Sequence, residues 1–300
     1  MGSRLRGRSG CLRTFMARTS GDSVNSWLAE GYAIVATDYQ GLGTPGGDPW
    51  MVVKPEAYSV LDSVRSALGA FGELSNNVVI VGASQGAHAG LSASLLAKSY
   101  APEVKLRGTV AVDVPGMSPY APETGAPQIA VPPIAGGGAN GALAVLSLFT
   151  LRAPDPSFVP SDCLSDDAKP VYEAARTGCE FGPVVVRNHV TVENAFKERP
   201  DTAIAKAAPL QQYPAPKFPQ PVVVGAGLAD TTTAPESQYN IVMAACYAGS
   251  TVEMHYYPGK NHNTSISASL PDSQAFVKKL LAGERIDGNC SVIKPPVPGN

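Results

Sequence analysis

The stretch NVVIVGASQGAHAGLSASLLAKSY, residues 77–100, carries the reading of the whole chain. Asn77 to Val81 is a short, continuously apolar run, as in a strand buried on both faces of a parallel sheet. Gln85 to Tyr100 is rich in Ala and Leu and reads as a helix. Between them lies Gly82-Ala83-Ser84-Gln85-Gly86, a G-x-S-x-G pattern. That pattern is common by chance; a strand directly before it and a helix directly after it are what give it meaning. A sharp strand-to-helix turn exposes the serine oxygen above the sheet, and Gly82 and Gly86 leave room for that turn. The helix N-terminus behind Ser84 favours developing negative charge. The backbone N–H of Gln85 is the expected donor to an oxyanion. Ser84 is therefore the candidate nucleophile.

Working outward, Val24 to Glu30 reads as a short helix and Tyr32 to Thr37 (YAIVAT) as a buried strand. Asp38 to Pro49 is a glycine-rich loop. Glu56 to Phe71 sets Val60, Leu61, Val64, Leu68 and Phe71 on one helical stripe. Thr109 to Val114 is a further strand. Past Pro115 the alternation breaks, and 116–215 is rich in Pro and Gly, so it is expected to be a cap inserted into the fold. Alternation resumes with strands at 221–225 and 251–257 and helices at 235–248 and 273–282. Strands alternating with helices imply βαβ units. The expected class is α/β, an α/β-hydrolase fold with a mostly parallel sheet, a helical cap and N-terminal strands missing. The expected domains are an irregular segment 1–26, a core of 27–115 plus 216–300, and the cap 116–215.

A chain of 300 residues, 44% hydrophobic and 16% charged, can bury a substantial core. A net charge of −2 gives no footprint for nucleic acid. The basic cluster Arg4, Arg6, Arg8 and Arg13 reads as a solvated tail. The longest apolar run, 141–151, is too short to span a membrane. No early segment has the apolar stretch of a secretory signal. There are five cysteines and four histidines, with no pair at metal-ligand spacing, so no metal or organic cofactor is expected. The last four cysteines, Cys163, Cys179, Cys246 and Cys290, could make two bridges, leaving Cys11 over, and Cys163–Cys179 would close a short loop within the cap.

A nucleophilic serine needs a base, and the base needs an orienting acid. In this fold the chain order is Ser, acid, His, the last two on loops after late strands. Asp230, in GAGLADTTT, follows strand 221–225, and His262, in YPGKNHNTS, follows strand 251–257. His255 lies within a strand pattern, His88 is one turn past Ser84, and His189 falls in the cap. Asp113, ending the strand 109–114, is a rival acid to Asp230. Glu236 reads as a helix-start carboxylate.

The segments GYAIVATDYQGLGTPG (31–46), VVIVGASQGAHA (78–89), LLAKSYAPEVKLRGTVAVDVP (95–115) and KFPQPVVVGAGLADTTT (217–233) together resemble the secretory lipase family of capped α/β-hydrolases. The resemblance runs over about residues 27–295. It implies hydrolysis of carboxylic esters, acylglycerols or related lipid and short-chain esters, by a triad of Ser84, Asp230 and His262. It further implies a Cys246–Cys290 bridge, export from the cell, and contact with a lipid interface through the cap. The family's second oxyanion donor comes from a segment before the equivalent of Tyr32, so that donor is unassigned; Asp38 and Tyr39 lie near the expected active-site edge. The alternatives are an acyltransferase or peptidase using the same triad, or a catalytically impaired homologue.

Overall fold

The computed structural model describes residues 21–42, 48–116, 122–152, 155–177, 182–213 and 216–297. Arg4, Arg6, Arg8, Arg13, Cys11, Cys179 and residues 43–47 of the glycine-rich loop lie outside them. In chain order the elements are α1 (Gly21–Ala29), α2 (Val53–Ala70), β1 (Val78–Ala83), α3 (Gln85–Tyr100), β2 (Leu106–Val112), α4 (Ala139–Leu151), α5 (Pro160–Cys163) and α6 (Lys169–Thr177). They continue with α7 (Gly182–Arg187), α8 (Asp201–Gln211), β3 (Val222–Gly227), α9 (Pro235–Tyr247), β4 (Val252–Tyr257), α10 (Thr264–Ala268) and α11 (Leu270–Ala282).

The chain divides into two units. The larger, 25–35 with 51–133 and 208–300, contains the sheet. Its strands run in the order β1-β2-β3-β4, every neighbouring pair parallel. Side chains alternate between two covered faces. Ala111, Val222, Val224 and Ala226 join Ala87 and Leu91 of α3 and Ile241 and Val242 of α9 in one core. Val110, Val112 and Val223 face the other way, onto Trp27 of α1 and Phe276, Val277 and Leu280 of α11. Burial on both faces is why these strands read as unbroken apolar runs. A third cluster joins Ala57 and Leu61 of α2 to Ile80 of β1 and Ala93 and Ala97 of α3.

Among the described residues the smaller unit comprises 21–24, 36–50 and 134–207. Its core is helical: Val145, Leu148 and Phe149 of α4 pack with Val171 and Tyr172 of α6 and Val185 of α7. The apolar run at 141–151 is α4, buried within this unit.

Two expectations are corrected. Residues 32–37 form no strand. Apolar character suits a strand, but a strand also needs a partner ladder, and among the described residues none pairs here. Ile34 and Val35 are accordingly 38% and 44% exposed, while Tyr32 turns inward against Trp27 with ring centroids 5.9 Å apart. The Cys163–Cys179 bridge is also not formed, since Cys163 is a free thiol. It sits at the end of α5 with its Sγ donating to the Pro160 carbonyl 3.1 Å away, directed into its own turn.

Cys246 and Cys290 are bridged, as the resemblance implied, across a sequence separation of 44. The bridge fastens the segment after α11 to α9. Closing a loop of that length stabilises by about 4 kcal/mol in the chain-entropy account. A Cys246→Ser/Cys290→Ser double variant is expected to lose about 2–4 kcal/mol in urea unfolding; an unchanged unfolding midpoint would show that the bridge contributes nothing.

Candidate active site

Ser84 stands where β1 turns into α3, with φ 54° and ψ −123°. An L residue reaches that region only at a cost of about 1–3 kcal/mol, and such strain concentrates at functional positions. The turn is held from both sides. The Ser84 N–H donates to Val112 O at 2.9 Å, extending the β1–β2 ladder by one bond. The Ser84 carbonyl accepts from Ala87 N at 2.9 Å and His88 N at 3.1 Å, opening the helix. Its hydroxyl makes no capping bond to α3, which leaves the oxygen for other chemistry. Gly82 is required by close approach: a Cβ there would lie 2.0 Å from Gly86 O. Gln85 follows as the first residue of α3.

Register then aligns the remaining candidates. Ala83, Val112, Gly225 and His255 form one row across the sheet. The residues just beyond that row therefore leave at the same edge, the C-terminal edge where ligands bind in parallel α/β sheets. The loops after β3 and β4 are tied together by Leu228 N donating to Tyr257 O at 3.1 Å and Ala229 N to Lys260 O at 2.9 Å. That lashing brings Asp230 and His262 together. Asp230 Oδ2 lies 2.8 Å from His262 Nδ1. Asp230 is buried, its Oδ1 accepting from Thr232 N at 2.8 Å and Thr233 N at 3.0 Å, and its Oδ2 from Thr233 Oγ1 at 2.6 Å.

The rival acid, Asp113, has no hydrogen bond to the imidazole. It is fully buried at φ 52° at the end of β2. Its Oδ1 accepts from Gly227 N at 3.2 Å and its Oδ2 from the Ser265 hydroxyl of α10. One carboxylate oxygen from each aspartate and one ring nitrogen of His262 lie within 4.8 Å of one another. Their acidities respond to that crowding. Burial pushes Asp113 up to about 6, a rise that the nearby Asp230 charge reinforces and the Ser265 hydrogen bond opposes. Burial also acts upward on Asp230, but the hydrogen bond and charge of His262, with the Thr233 bonds, hold it below the usual carboxylate range. For His262, burial acts downward and is outweighed by the Asp230 hydrogen bond and charge and by the Asp113 charge, so its pKa is raised.

The other histidines are placed elsewhere. His255 faces Glu253 and Asp272 at 3.7 and 3.8 Å on the sheet surface. His88 is buried in α3, its Nδ1 2.6 Å from Glu56 Oε2 and its Nε2 2.9 Å from the Gln211 carbonyl. Glu56 Oε1 also accepts from the Gln85 side chain at 2.9 Å and from Met51 N at 3.1 Å. His189 is exposed in the smaller unit, in a turn at φ 50°. Asp38 and Tyr39 also belong to that unit. Glu236 is in the first turn of α9, as expected. Sequence reasoning missed Thr233, Ser265 and Glu56. The Asp-Thr-Thr-Thr run was a usable signal for the first, because an aspartate can accept from backbone and hydroxyl donors two and three residues on.

A family model described as secretory lipase matches residues 8–116. Lipase A of Moesziomyces aphidis is 26% identical over 288 residues, 91% of this chain and 59% of that protein. Lipase 7 of Candida albicans is 32% identical over 111 residues, 36% of this chain and 25% of that protein. The chain thus spans less than two thirds of either relative. Among solved structures, Candida antarctica lipase A in its closed state superposes with a TM-score of 0.69 at 22% identity, covering 95% of this chain and 66% of that one. A rice cell wall degrading esterase from Xanthomonas oryzae gives 0.58 at 16% identity, covering 80% and 68%. Likeness at such identities speaks for the fold, and the fold is that of the α/β-hydrolases. Over residues 8–116 the chain is similar to the secretory lipases.

Proposed function

We propose that this protein is a serine hydrolase that cleaves carboxylic esters through an acyl-enzyme on Ser84. The observation that carries the reading is the buried Asp230 carboxylate 2.8 Å from His262 Nδ1, at the sheet edge where the strained Ser84 turn also ends. The hydrogen bond at Nδ1 fixes the tautomer, leaving Nε2 as the base. Ser84 Oγ attacks the ester carbonyl carbon and its proton passes to His262 Nε2. The carbonyl π electrons move to oxygen, where the Gln85 N–H and the N-terminus of α3 stabilise the charge. The tetrahedral intermediate collapses, and the alcohol leaves with the proton from His262. Water then attacks the acyl-Ser84, losing its proton to the same nitrogen, and the acid departs with Ser84 restored.

Acylglycerols or related lipid and short-chain esters are the proposed substrates, on the strength of the lipase relatives. Export belongs to the same reading, supported by the secretory lipase match and the Cys246–Cys290 bridge. No described helix is long and apolar enough to cross a membrane.

Ser84→Ala is expected to keep the fold by circular dichroism and to lower p-nitrophenyl ester hydrolysis by at least ~10³-fold; retained turnover would refute the assignment. His262→Ala should fall comparably while His255→Ala stays near the parent rate, a comparison that identifies the base. Because the base must be neutral and the His262 pKa is raised, kcat/KM should decline as pH falls, with an acid limb above the ordinary imidazole value of about 6.5.

A further inference from the structure

We propose that Asp113 is a second charge partner of His262, a positioning residue that stabilises the imidazolium formed when the histidine takes the nucleophile's proton. The inference rests on the reading of His262 as the base. Two buried carboxylates share one imidazole here, with the oxygen and nitrogen atoms within 4.8 Å of one another. Asp230 makes the direct hydrogen bond, while Asp113 acts across space. An opposite charge within about 4–6 Å favours the charged form of its neighbour, and in a buried site solvent screens little of that effect.

The protein holds Asp113 there by arrangements that the Ser84–His262–Asp230 scheme alone does not require. The residue adopts φ 52°, a conformation uncommon outside glycine. Its N–H donates to Gly225 O at 2.8 Å, continuing the β2–β3 ladder, while its carboxylate accepts from Gly227 N and Ser265. Both carboxylate donors are neutral, so no cation neutralises Asp113 among its hydrogen-bond partners. The titratable groups facing it are Asp230, His262 and Tyr257, and those facing the imidazole are Asp230 and Asp113. Tyr257, raised by burial, donates its hydroxyl to Asp272 at 3.0 Å. Among the described residues of the cluster, His262 is thus the group that can become positive, and on this reading it does so at the moment Ser84 loses its proton.

Asp113→Asn tests the idea because it keeps the shape, an oxygen acceptor for Gly227 N–H and a donor for the Ser265 oxygen, and removes only the charge. Removing a negative charge beside an imidazole disfavours the imidazolium. The His262 pKa, followed by NMR titration of the ring, should therefore fall by about one unit. The acid limb of kcat/KM should move to lower pH with it, and the high-pH plateau should drop about three- to tenfold as the base weakens. A purely structural Asp113 would lower Tm and leave the His262 titration unchanged, and that result overturns the proposal. If Asp113→Asn does not fold, Ser265→Ala takes its place. It removes the hydroxyl that favours the charged carboxylate, so His262 should again titrate lower, and an unchanged value overturns the proposal. The titration needs no turnover, so it stands apart from the ester assay of Ser84→Ala, which tests the underlying reading.

Discussion

The close passage of Gly82 over the Gly86 carbonyl is the constraint on which the site depends. Only a residue without a Cβ fits there, because any other would meet backbone at 2.0 Å. Once the two backbone segments are that close, the residue between them must take a positive φ, and Ser84 does. Its N–H is then bound by β2 and its carbonyl by α3, so the sheet and the helix together over-determine the strained turn. Strain of this kind persists only where the surroundings leave no cheaper choice. The same passage starts α3 directly after Ser84, so the proposed nucleophile and the helix dipole proposed to stabilise the oxyanion come from one local solution.

The sheet supplies the second element of order. Parallel strands in sequential order bring successive chain exits to one edge. Ser84, Asp113 and the loops bearing Asp230 and His262 all emerge there. The carboxylates are separated into roles by their donors rather than by distance from the sheet. Asp230 is reached by two backbone N–H groups, a threonine hydroxyl and an imidazole, which hold it ionised. Asp113 has weaker support and sits deeper in the crowding, which is why their acidities move apart.

Much of this was legible in the order of residues. The run 78–100 reads correctly because a strand buried on both faces, a glycine-flanked serine and an Ala/Leu helix are all local signals. The limits are equally physical. Tyr32 to Thr37 looks like a strand, but pairing is a property of two segments, and composition reports only one. Asp113 ends a strand pattern and Asp230 follows one, so sequence leaves them as rivals; the choice depends on backbone bonds from 228 and 229 to 257 and 260, which no side-chain pattern encodes. The amphipathic stripe of α2 reveals Leu61 but not Glu56, because a buried carboxylate in a helix reads as solvent-facing until its partner is known. Proline and glycine between the helices of the smaller unit hide their periodicity, and nearness in sequence says nothing of whether Cys163 meets another thiol.

Glu56 and His88 close the account of α2 and α3. The pair is buried, and its four polar atoms are met by one another, the Gln85 amide, the Met51 N–H and the Gln211 carbonyl. Deleting either partner would strand the other away from water, typically a loss of about 3–5 kcal/mol, comparable with a small protein's whole margin. The two positions are therefore coupled energetically: the helix that follows the Ser84 turn is pinned to α2 through a polar pair that tolerates the loss of neither member.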